Sequence, residues 1–223
     1  MLFNTIDFVI FFFLVVGIIT ILKYRRFQHI FIIFASVFFL YYTNSYLIVI
    51  LIFTILFHYY IGRQIYKTDS KDGKKIFLIA GLAGSLGLLG FFKYADFAIA
   101  QFNIFGNIMD LGSEIPLLNL ALPIGISFYT FQSISYIIDI YRGNLTPSKT
   151  LREYAFFVAF FPTLVAGPIL RARQFLPQLR EKIEQSNTTG RLRQFVIHRS
   201  NLNFGLTLMA LGFLTKTLFA DNI

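Results

Sequence analysis

The chain has 223 residues, of which 56% are hydrophobic and 14% are charged, and its mean hydropathy is +0.66. Soluble domains average roughly 45–50% apolar and about 25% charged residues, so this composition excludes an ordinary soluble protein. The chain has no cysteine, which excludes a disulfide framework, a thiolate metal site and a catalytic cysteine. The apolar residues come in long runs, and we expect a single membrane domain over residues 1–223.

The basic residues outnumber the acidic ones by 20 to 11, which gives a formal net charge of +9. They form three clusters between apolar runs: Lys23, Arg25 and Arg26; Arg63, Lys67, Lys71, Lys74 and Lys75; Arg142, Lys149 and Arg152. Basic residues gather in the cytoplasmic loops of membrane proteins, and alternating spans place all three clusters on that face, with the N-terminus outside. Since no basic stripe alternates with stacking aromatic residues, we expect no nucleic-acid partner.

The first three apolar runs predict three helices. Residues 3–22 are long enough to span a bilayer, and a cleaved signal peptide is disfavoured because Asp7 precedes the apolar run and Lys23 follows it. Residues 27–42 and 46–61 are two further apolar runs, which predict two helices joined by a tight external turn at residues 43–45. The first helix is expected to be retained as a span.

The next region predicts one buried helix followed by an interfacial one. Residues 76–92 carry small side chains that let neighbouring helices approach closely: Ala80, Gly81, Ala83, Gly84, Ser85, Gly87 and Gly90. This pattern predicts a helix buried inside a bundle. Residues 93–114 are more polar and irregular, which indicates an interfacial or tilted helix plus a loop.

The last part of the chain predicts interrupted helices. Residues 116–141 are apolar enough to cross, with a break or kink at Pro123, and residues 154–170 form a broken or re-entrant segment. Residues 171–199 are polar and basic, which is typical of a cytoplasmic amphipathic stretch, and residues 203–220 are a last candidate span. The predicted fold is therefore an all-α, polytopic transmembrane helical bundle with broken or re-entrant helices.

One polar face lies on the helix that follows Pro123. Its members are spaced at i, i+3, i+4 and i+7: Gln132, Ser135, Tyr136 and Asp139. Polar groups on a membrane helix face a bundle interior or a watery cavity. One interpretation is hydrogen bonding between helices, with Asp139 paired to Arg142, and the other is that these residues line a substrate funnel.

A second candidate site is the broken segment and the residue after it, namely Pro162, Gly167, Pro168 and Arg171. Irregular backbone at membrane depth is tolerated where protein or a water-filled cavity shields it, which favours a binding site. The alternative is a structural turn with the Arg171 side chain reaching the lipid head groups.

The three histidines offer no metal site. His29 and His198 lie near basic or polar stretches and are expected to be solvated, while His58 lies in an apolar run beside two tyrosines that are typical of an interfacial belt. No second histidine or carboxylate stands at metal-ligand spacing from any of them, and no nucleophile or phosphate-loop motif occurs. We therefore expect no metal site among them, while His58, as an ionisable group in an apolar run, stays open as a functional candidate.

Three motifs carry a family resemblance: PIGISFYTFQSISYIIDIYRG at residues 123–143, FFPTLVAGPILR at residues 160–171 and FFKYAD at residues 91–96. They resemble the membrane-bound O-acyltransferase family, and most of all its bacterial alginate O-acetyltransferase branch. The likeness runs over nearly the whole chain and includes residues 205–221.

The resemblance implies an integral membrane enzyme of the bacterial cytoplasmic membrane. Such an enzyme takes an acyl group, usually acetyl, from an intracellular donor such as acetyl-CoA or an acyl carrier, with no bound cofactor. It delivers the group to hydroxyls of an extracytoplasmic polysaccharide, together with accessory periplasmic or cell-surface proteins. In that family a histidine in a later membrane segment is the expected general base, and a group titrating near neutral pH suits that role.

The three histidines of this chain do not match the motif of that catalytic histidine. We therefore expect the chain to be the N-terminal half of such an enzyme, with the histidine beyond Ile223, and to be inactive alone. Two other functions stay open, since a transporter or flippase also uses broken helices, and a non-catalytic membrane remnant needs no funnel.

Overall fold

The computed structural model describes residues 5–22, 24–43, 48–109, 114–123, 125–164, 170–184, 199–216 and 218. Its helices are α1 (Ile6–Ile21), α2 (Arg25–Thr43), α3 (Ile48–Lys67), α4 (Lys71–Ile108), α5 (Ile126–Tyr141), α6 (Leu151–Val158), α7 (Phe161–Leu164), α8 (Ala172–Glu184) and α9 (Arg199–Thr215). The described residues contain helices and loops but no strand, which confirms the all-α prediction. The turn predicted at residues 43–45 falls largely outside them.

The helices belong to two compact units, Met1–Ala35 with Glu181–Ile223, and Ser36–Arg180. In the first unit, α1 buries Phe8, Phe11, Val15 and Ile19, which recur every three or four residues and so share one face. The fully buried Gln28 donates from Nε2 to the carbonyls of Ile19 and Leu22, at 3.0 and 3.1 Å. These carbonyls lie at the end of α1, where a helix leaves its last acceptors without partners in the helix itself.

The second unit has α3, α4 and α5 packed pairwise against one another, with α6 against α3 and α5. Glycines permit this close packing. A Cβ built on Gly62 of α3 would lie 2.7 Å from Cε1 of Tyr136, and one on Gly81 of α4 would lie 2.7 Å from Cδ1 of Ile137. A larger side chain at either position would force a neighbour to shift, because real Cβ contacts are essentially never that short, and the buried ring of Tyr136 has less freedom to move than the end of the Ile137 side chain.

The fourth helix differs from the prediction in two respects. It runs without interruption for 38 residues through Lys93, so the boundary predicted at residue 93 is wrong. It buries only Gly81, Ser85, Leu89 and Gly106, so the expectation of a helix enclosed by a bundle is also wrong for the described structure. A lysine and an aspartate do not break a helix as proline does, and at about 1.5 Å per residue α4 is about 57 Å long.

The described residues 114–123 form a loop rather than a helix, so the predicted crossing over residues 116–141 is wrong over residues 116–123. Asn103 on α4 holds this segment, because its Nδ2 donates to the carbonyl of Ile115 at 2.8 Å and its Oδ1 accepts the amide of Ile115 at 2.9 Å. Asp96 accepts the amide of Leu118 at 2.8 Å. Pro123 does mark the interruption, since α5 begins three residues later.

The loop after α5 begins with a helix-ending turn. Gly143 has a φ of +75°, its amide donates to the carbonyl of Ile140, and the amide of Asn144 donates to the carbonyl of Asp139. This 6→1 and 5→2 pair is the Schellman arrangement, in which glycine is favoured because the left-handed region is open to it.

A partly buried ion pair then holds the loop between α5 and α6. Arg180 of α8 donates from Nε to Oε1 of Glu153 at 2.6 Å. It also donates to the hydroxyl and carbonyl of Thr146 and to the carbonyl of Pro147. The other Glu153 oxygen accepts the amide of Lys149 at 2.8 Å. A charge-assisted network of this kind fixes the path of a loop that has no helix of its own.

Two of the described helices, α3 and α4, are long and apolar enough to cross a membrane. Shorter apolar helices cover Ile6–Ile21, Phe27–Tyr42 and Asn203–Thr215. Many large apolar side chains on these helices point outward, including Phe34, Ile79 and Phe204, each more than half exposed. The polytopic topology therefore stays a prediction, as does the single-domain assignment.

We predict that Gly62→Ala destabilises the protein by about 1–3 kcal/mol, because its methyl group meets the fully buried ring of Tyr136. Gly87→Ala on α4 is the matched control, since nothing lies within 4 Å of its Cβ and alanine favours a helix over glycine. The midpoint of thermal unfolding in detergent should fall for the first variant only. A fall of the same size in both variants would contradict the packing.

We predict that Arg180→Leu destabilises the protein by about 1–3 kcal/mol, because it leaves the mostly buried carboxylate of Glu153 without the cation that donates a hydrogen bond to it. Adding Glu153→Gln removes that charge and should recover part of the loss. The control is Arg173→Leu, which changes an exposed arginine on the same helix. Purely additive effects in thermal unfolding would show that the two side chains do not interact.

Candidate functional site

The polar face predicted on α5 lies in the interior of the second unit. Gln132, Tyr136 and Asp139 are buried, and Ser135 is half-buried. Gln132 donates from Nε2 to the carbonyl of Phe157 on α6 at 2.8 Å. This hydrogen bond satisfies a buried carbonyl one residue before the end of α6, so Gln132 does what the interhelical interpretation predicts.

Tyr136 is the most connected member of this face. Its ring lies against Gly62 on one side and packs on Tyr154 with ring centroids 4.4 Å apart. Its hydroxyl accepts the amide of Ser148 at 3.0 Å. Tyr136 therefore joins α3, α6 and the loop between α5 and α6, and it is fully buried in doing so.

In the described structure the side chains of Ser135 and Asp139, the other two members of the face, form no hydrogen bond with a second helix. The hydroxyl of Ser135 donates to the carbonyl of Gln132, one turn back on the same helix. No ion pair joins Asp139 to Arg142 in the described structure, so that predicted pair is wrong. Arg142 is the exposed C-cap of α5, where the chain turns at Gly143, and Asp139 stays a buried carboxylate that no described cation neutralises.

The predicted broken segment is confirmed as an interruption between two helices. α6 ends at Val158 and α7 begins at Phe161, whose freed amide donates to the hydroxyl of Ser36 at 3.2 Å. Pro162 occupies the first turn of α7, where its missing N–H costs no helical hydrogen bond. Gly167 and Pro168 lie outside the described residues.

Arg171 stands at the start of α8. Its carbonyl accepts the amides of Gln174 and Phe175 at 2.9 and 3.1 Å, and the residue is exposed. In the described structure no hydrogen bond or ion pair joins Arg171 to the α5 face. Its role as a substrate-binding residue stays a prediction.

The histidines differ from the sequence-based expectation. His29 is buried rather than solvated, and His198 lies outside the described residues. His58 is also buried: its Nδ1 lies 2.8 Å from the carbonyl of Thr54 and its Nε2 lies 2.6 Å from the hydroxyl of Ser85. A carbonyl only accepts, so Nδ1 carries a proton. Both ring nitrogens are thus engaged, and neither is open to a substrate.

Sequence reasoning missed two partners of these groups. From the sequence, Ser85 was identified only as a small residue. Its hydroxyl lies on α4 and can form a hydrogen bond with the imidazole of His58 on the neighbouring helix α3. Glu153 was not singled out either, although Thr150 followed three residues later by glutamate is the signature of a helix start. The Thr150 hydroxyl does accept the Glu153 amide at 3.2 Å. The described residues contain no cluster of three histidine, aspartate or glutamate side chains that could hold a metal ion.

Several curated proteins are similar to this chain. The peptidoglycan O-acetyltransferase of Helicobacter pylori is 32% identical over the whole chain, which covers 45% of that protein. A probable alginate O-acetylase AlgI of Pseudomonas putida is 37% identical over 75% of the chain and 32% of its own length. A teichoic acid D-alanyltransferase of Bacillus subtilis is 30% identical over 47% of the chain and 26% of its own length.

The chain spans less than half the length of these relatives. No family model matches it, and no solved structure matches it. The similarity to O-acetyltransferases over three quarters or more of the chain confirms the resemblance carried by the motifs at residues 91–96, 123–143 and 160–171. The family and the apolar helices together support a membrane location. The chain is thus a relative of the membrane-bound O-acyltransferases, similar along its length to a peptidoglycan O-acetyltransferase and over three quarters of it to bacterial alginate O-acetylases.

Proposed function

We propose that this chain is part of a membrane O-acyltransferase that acetylates a polysaccharide of the bacterial cell envelope. The observation that carries the proposal is the similarity to a named peptidoglycan O-acetyltransferase along the whole chain, together with that to alginate O-acetylases. The proposed donor is acetyl-CoA or an acyl carrier inside the cell. The proposed acceptor is a polysaccharide hydroxyl outside the membrane, with accessory cell-surface proteins as further partners.

The proposed reaction is the attack of an acceptor hydroxyl on the donor's thioester carbonyl. A C–O bond forms, the C–S bond breaks, and the hydroxyl proton passes to a base. In the described part of the chain both nitrogens of His58 are engaged, so we assign the chain a binding and positioning role in this step. Holding two reactants in register is itself worth several orders of magnitude in rate.

Among the residues of the α5 face, Asp139 is the best candidate for this binding and positioning role. The residue is 8% exposed, and no described lysine or arginine forms an ion pair with it. An acidic residue in a membrane-spanning segment without a paired cation is by default a functional candidate. We propose that it orients the acyl donor, which reaches this end of α5 from the cytoplasm, by accepting a hydrogen bond from a hydroxyl or amide group of the donor.

We propose a multi-pass topology in the cytoplasmic membrane with the N-terminus outside. The support is the charge pattern: the end of α3 and the loop between α5 and α6 both carry basic clusters, and the structure brings Lys67 and Lys149 to the same cleft. Loops that line one cleft must lie on one side of a membrane. The topology is testable because the chain has no cysteine of its own.

We predict that Ser70→Cys and Asn144→Cys do not react with an impermeant maleimide added outside intact cells, because both exposed sites lie in loops proposed to be cytoplasmic. Both should react once the membrane is permeabilised. Labelling of both sites in intact cells would show that the proposed orientation is inverted. Labelling of only one site would contradict a shared face for the two loops.

We predict that Asp139→Asn lowers the acetylation rate about tenfold or more in the protein that carries this chain, since mispositioning a reactant costs up to about 10²-fold. Ile138→Ala, one residue away, is the matched control and should lower it less than threefold. The measurement is transfer of labelled acetyl from acetyl-CoA to peptidoglycan or alginate by membranes, normalised to protein abundance. Equal acetylation rates for the two variants would contradict a role of Asp139 in the reaction.

The same assay tests the proposed function itself. A wild-type protein that transfers no label to either polysaccharide would count against O-acetylation of these acceptors. Transfer of D-alanine instead of acetyl would move the function toward that of the teichoic acid relative.

A further inference from the structure

A basic cleft of about 430 Å³ lies between the C-terminal end of α3 and the loop that joins α5 to α6. Arg63 and Lys67 line it from the helix, and Thr146, Ser148 and Lys149 line it from the loop. This volume lies in the range of small-molecule sites, at its lower end. We call these five residues and the space between them the basic cleft.

The charge in the basic cleft is uncompensated by its own lining. Arg63, Lys67 and Lys149 have no ion-pair partner in the described structure. Arg63 donates to the hydroxyl of Tyr59 at 3.0 Å and lies 5.5 Å from the centre of that ring, which leaves most of its donors unspent. The nearby carboxylate of Glu153 is already paired with Arg180. Three cations around one concave site attract an anion more strongly than the same charges spread over a surface.

Two hydroxyl groups complete the basic cleft. The oxygen of Thr146 accepts a hydrogen bond from Nη1 of Arg180 at 2.8 Å, so its own proton is left to donate to a ligand. Ser148 is 2% exposed, its amide donates to Tyr136, and its hydroxyl makes no more than a weak interaction with the hydroxyl of Tyr136. A buried hydroxyl without a well-formed hydrogen bond is uncommon, and a ligand or water in the cleft can supply its partner.

The loop wall of the basic cleft is held rigidly from behind. Arg180 donates to the carbonyls of Thr146 and Pro147, Glu153 accepts the amide of Lys149, and Tyr136 accepts the amide of Ser148. These bonds fix the backbone of residues 146–149 before any ligand arrives. A preorganised wall loses little entropy on binding, which separates a built site from a chance group of surface lysines.

We propose that the basic cleft binds the phosphate of a small ligand. A phosphate offers up to two charges and several acceptor oxygens, which matches three cations and two hydroxyl donors better than a single carboxylate does. The phosphate can come from a soluble molecule such as coenzyme A or from the head group of an anionic lipid. The soluble source rests on the proposed function, because it makes the cleft a holding site for the acyl donor, whereas the phosphate site itself does not.

The test measures binding of coenzyme A to the full chain in nanodiscs of uncharged lipid, and in parallel the enrichment of phosphatidylglycerol over phosphatidylcholine around the purified protein. We expect Lys149→Gln and Lys67→Gln each to weaken binding of the preferred probe about fivefold or more, since a hydrogen bond to a charged group is lost. Lys149→Arg should keep binding within about threefold, because it keeps the charge. Inorganic phosphate should compete, and added salt should weaken binding.

The matched control is Lys75→Gln, which removes the same charge from an exposed position of α4 outside the cleft, and it should change binding less than twofold. Ser148→Ala should weaken binding while changing the midpoint of thermal unfolding little, since the well-formed hydrogen bond to Tyr136 comes from the amide of Ser148, which alanine keeps. Loss of affinity in Lys75→Gln equal to that in Lys149→Gln would overturn the proposal, because only net charge would then matter.

The arms of the test distinguish the sources of the phosphate. Coenzyme A binding without lipid enrichment supports a soluble ligand, and lipid enrichment without coenzyme A binding supports a head group. Binding of neither probe, or tighter binding of a uronic acid oligosaccharide than of either, overturns the phosphate site. Because these readouts need no turnover, a protein that binds phosphate but transfers no acetyl would overturn the proposed function alone.

Discussion

The close approach of α3 and α5 at Gly62 and Tyr136 is the constraint on which the second unit depends. Only a glycine lets the α3 backbone touch the buried ring, since a Cβ would lie 2.7 Å from it. The same ring packs on Tyr154 of α6, and the same hydroxyl accepts the amide of Ser148. A tyrosine suits this position because its ring is apolar while its hydroxyl can satisfy a polar group at the far end.

Side-chain amides provide hydrogen-bond partners for backbone groups at the places where helices end. Such partners matter in this chain because it is so apolar. Gln28 caps two carbonyls at the end of α1, Gln132 bonds to the carbonyl of Phe157 near the end of α6, and Asn103 pairs with both backbone groups of Ile115. An unpartnered backbone group in an apolar surrounding costs several kcal/mol. Each of these amides therefore stabilises one particular place where regular structure stops.

For the candidate site, the sequence predicted which residues share a helix face but not which residues they contact. Periodicity placed Gln132, Tyr136 and Asp139 on one face, and the structure buries all three. Periodicity could not assign their hydrogen-bond partners. The spacing of residues along a helix determines the direction in which each side chain points from the helix axis, but not which residue of a neighbouring helix it meets. The proposed pair of Asp139 with Arg142 was wrong for a local reason, since the Schellman turn ends the helix at Arg142 and leaves it exposed.

Properties that depend on neighbours in the chain could be read from the sequence: helices throughout, interruptions near Pro123 and Pro162, and motifs specific enough to indicate the family. Helix boundaries were less certain, as α4 shows by running past Lys93, because charged residues leave the helical hydrogen bonds intact. Only the tertiary structure decided that Gly62 faces Tyr136, that Ser85 meets His58, and that two distant basic clusters share one cleft. Those contacts join residues far apart in the chain, and they follow from how helices pack rather than from any pattern within one helix.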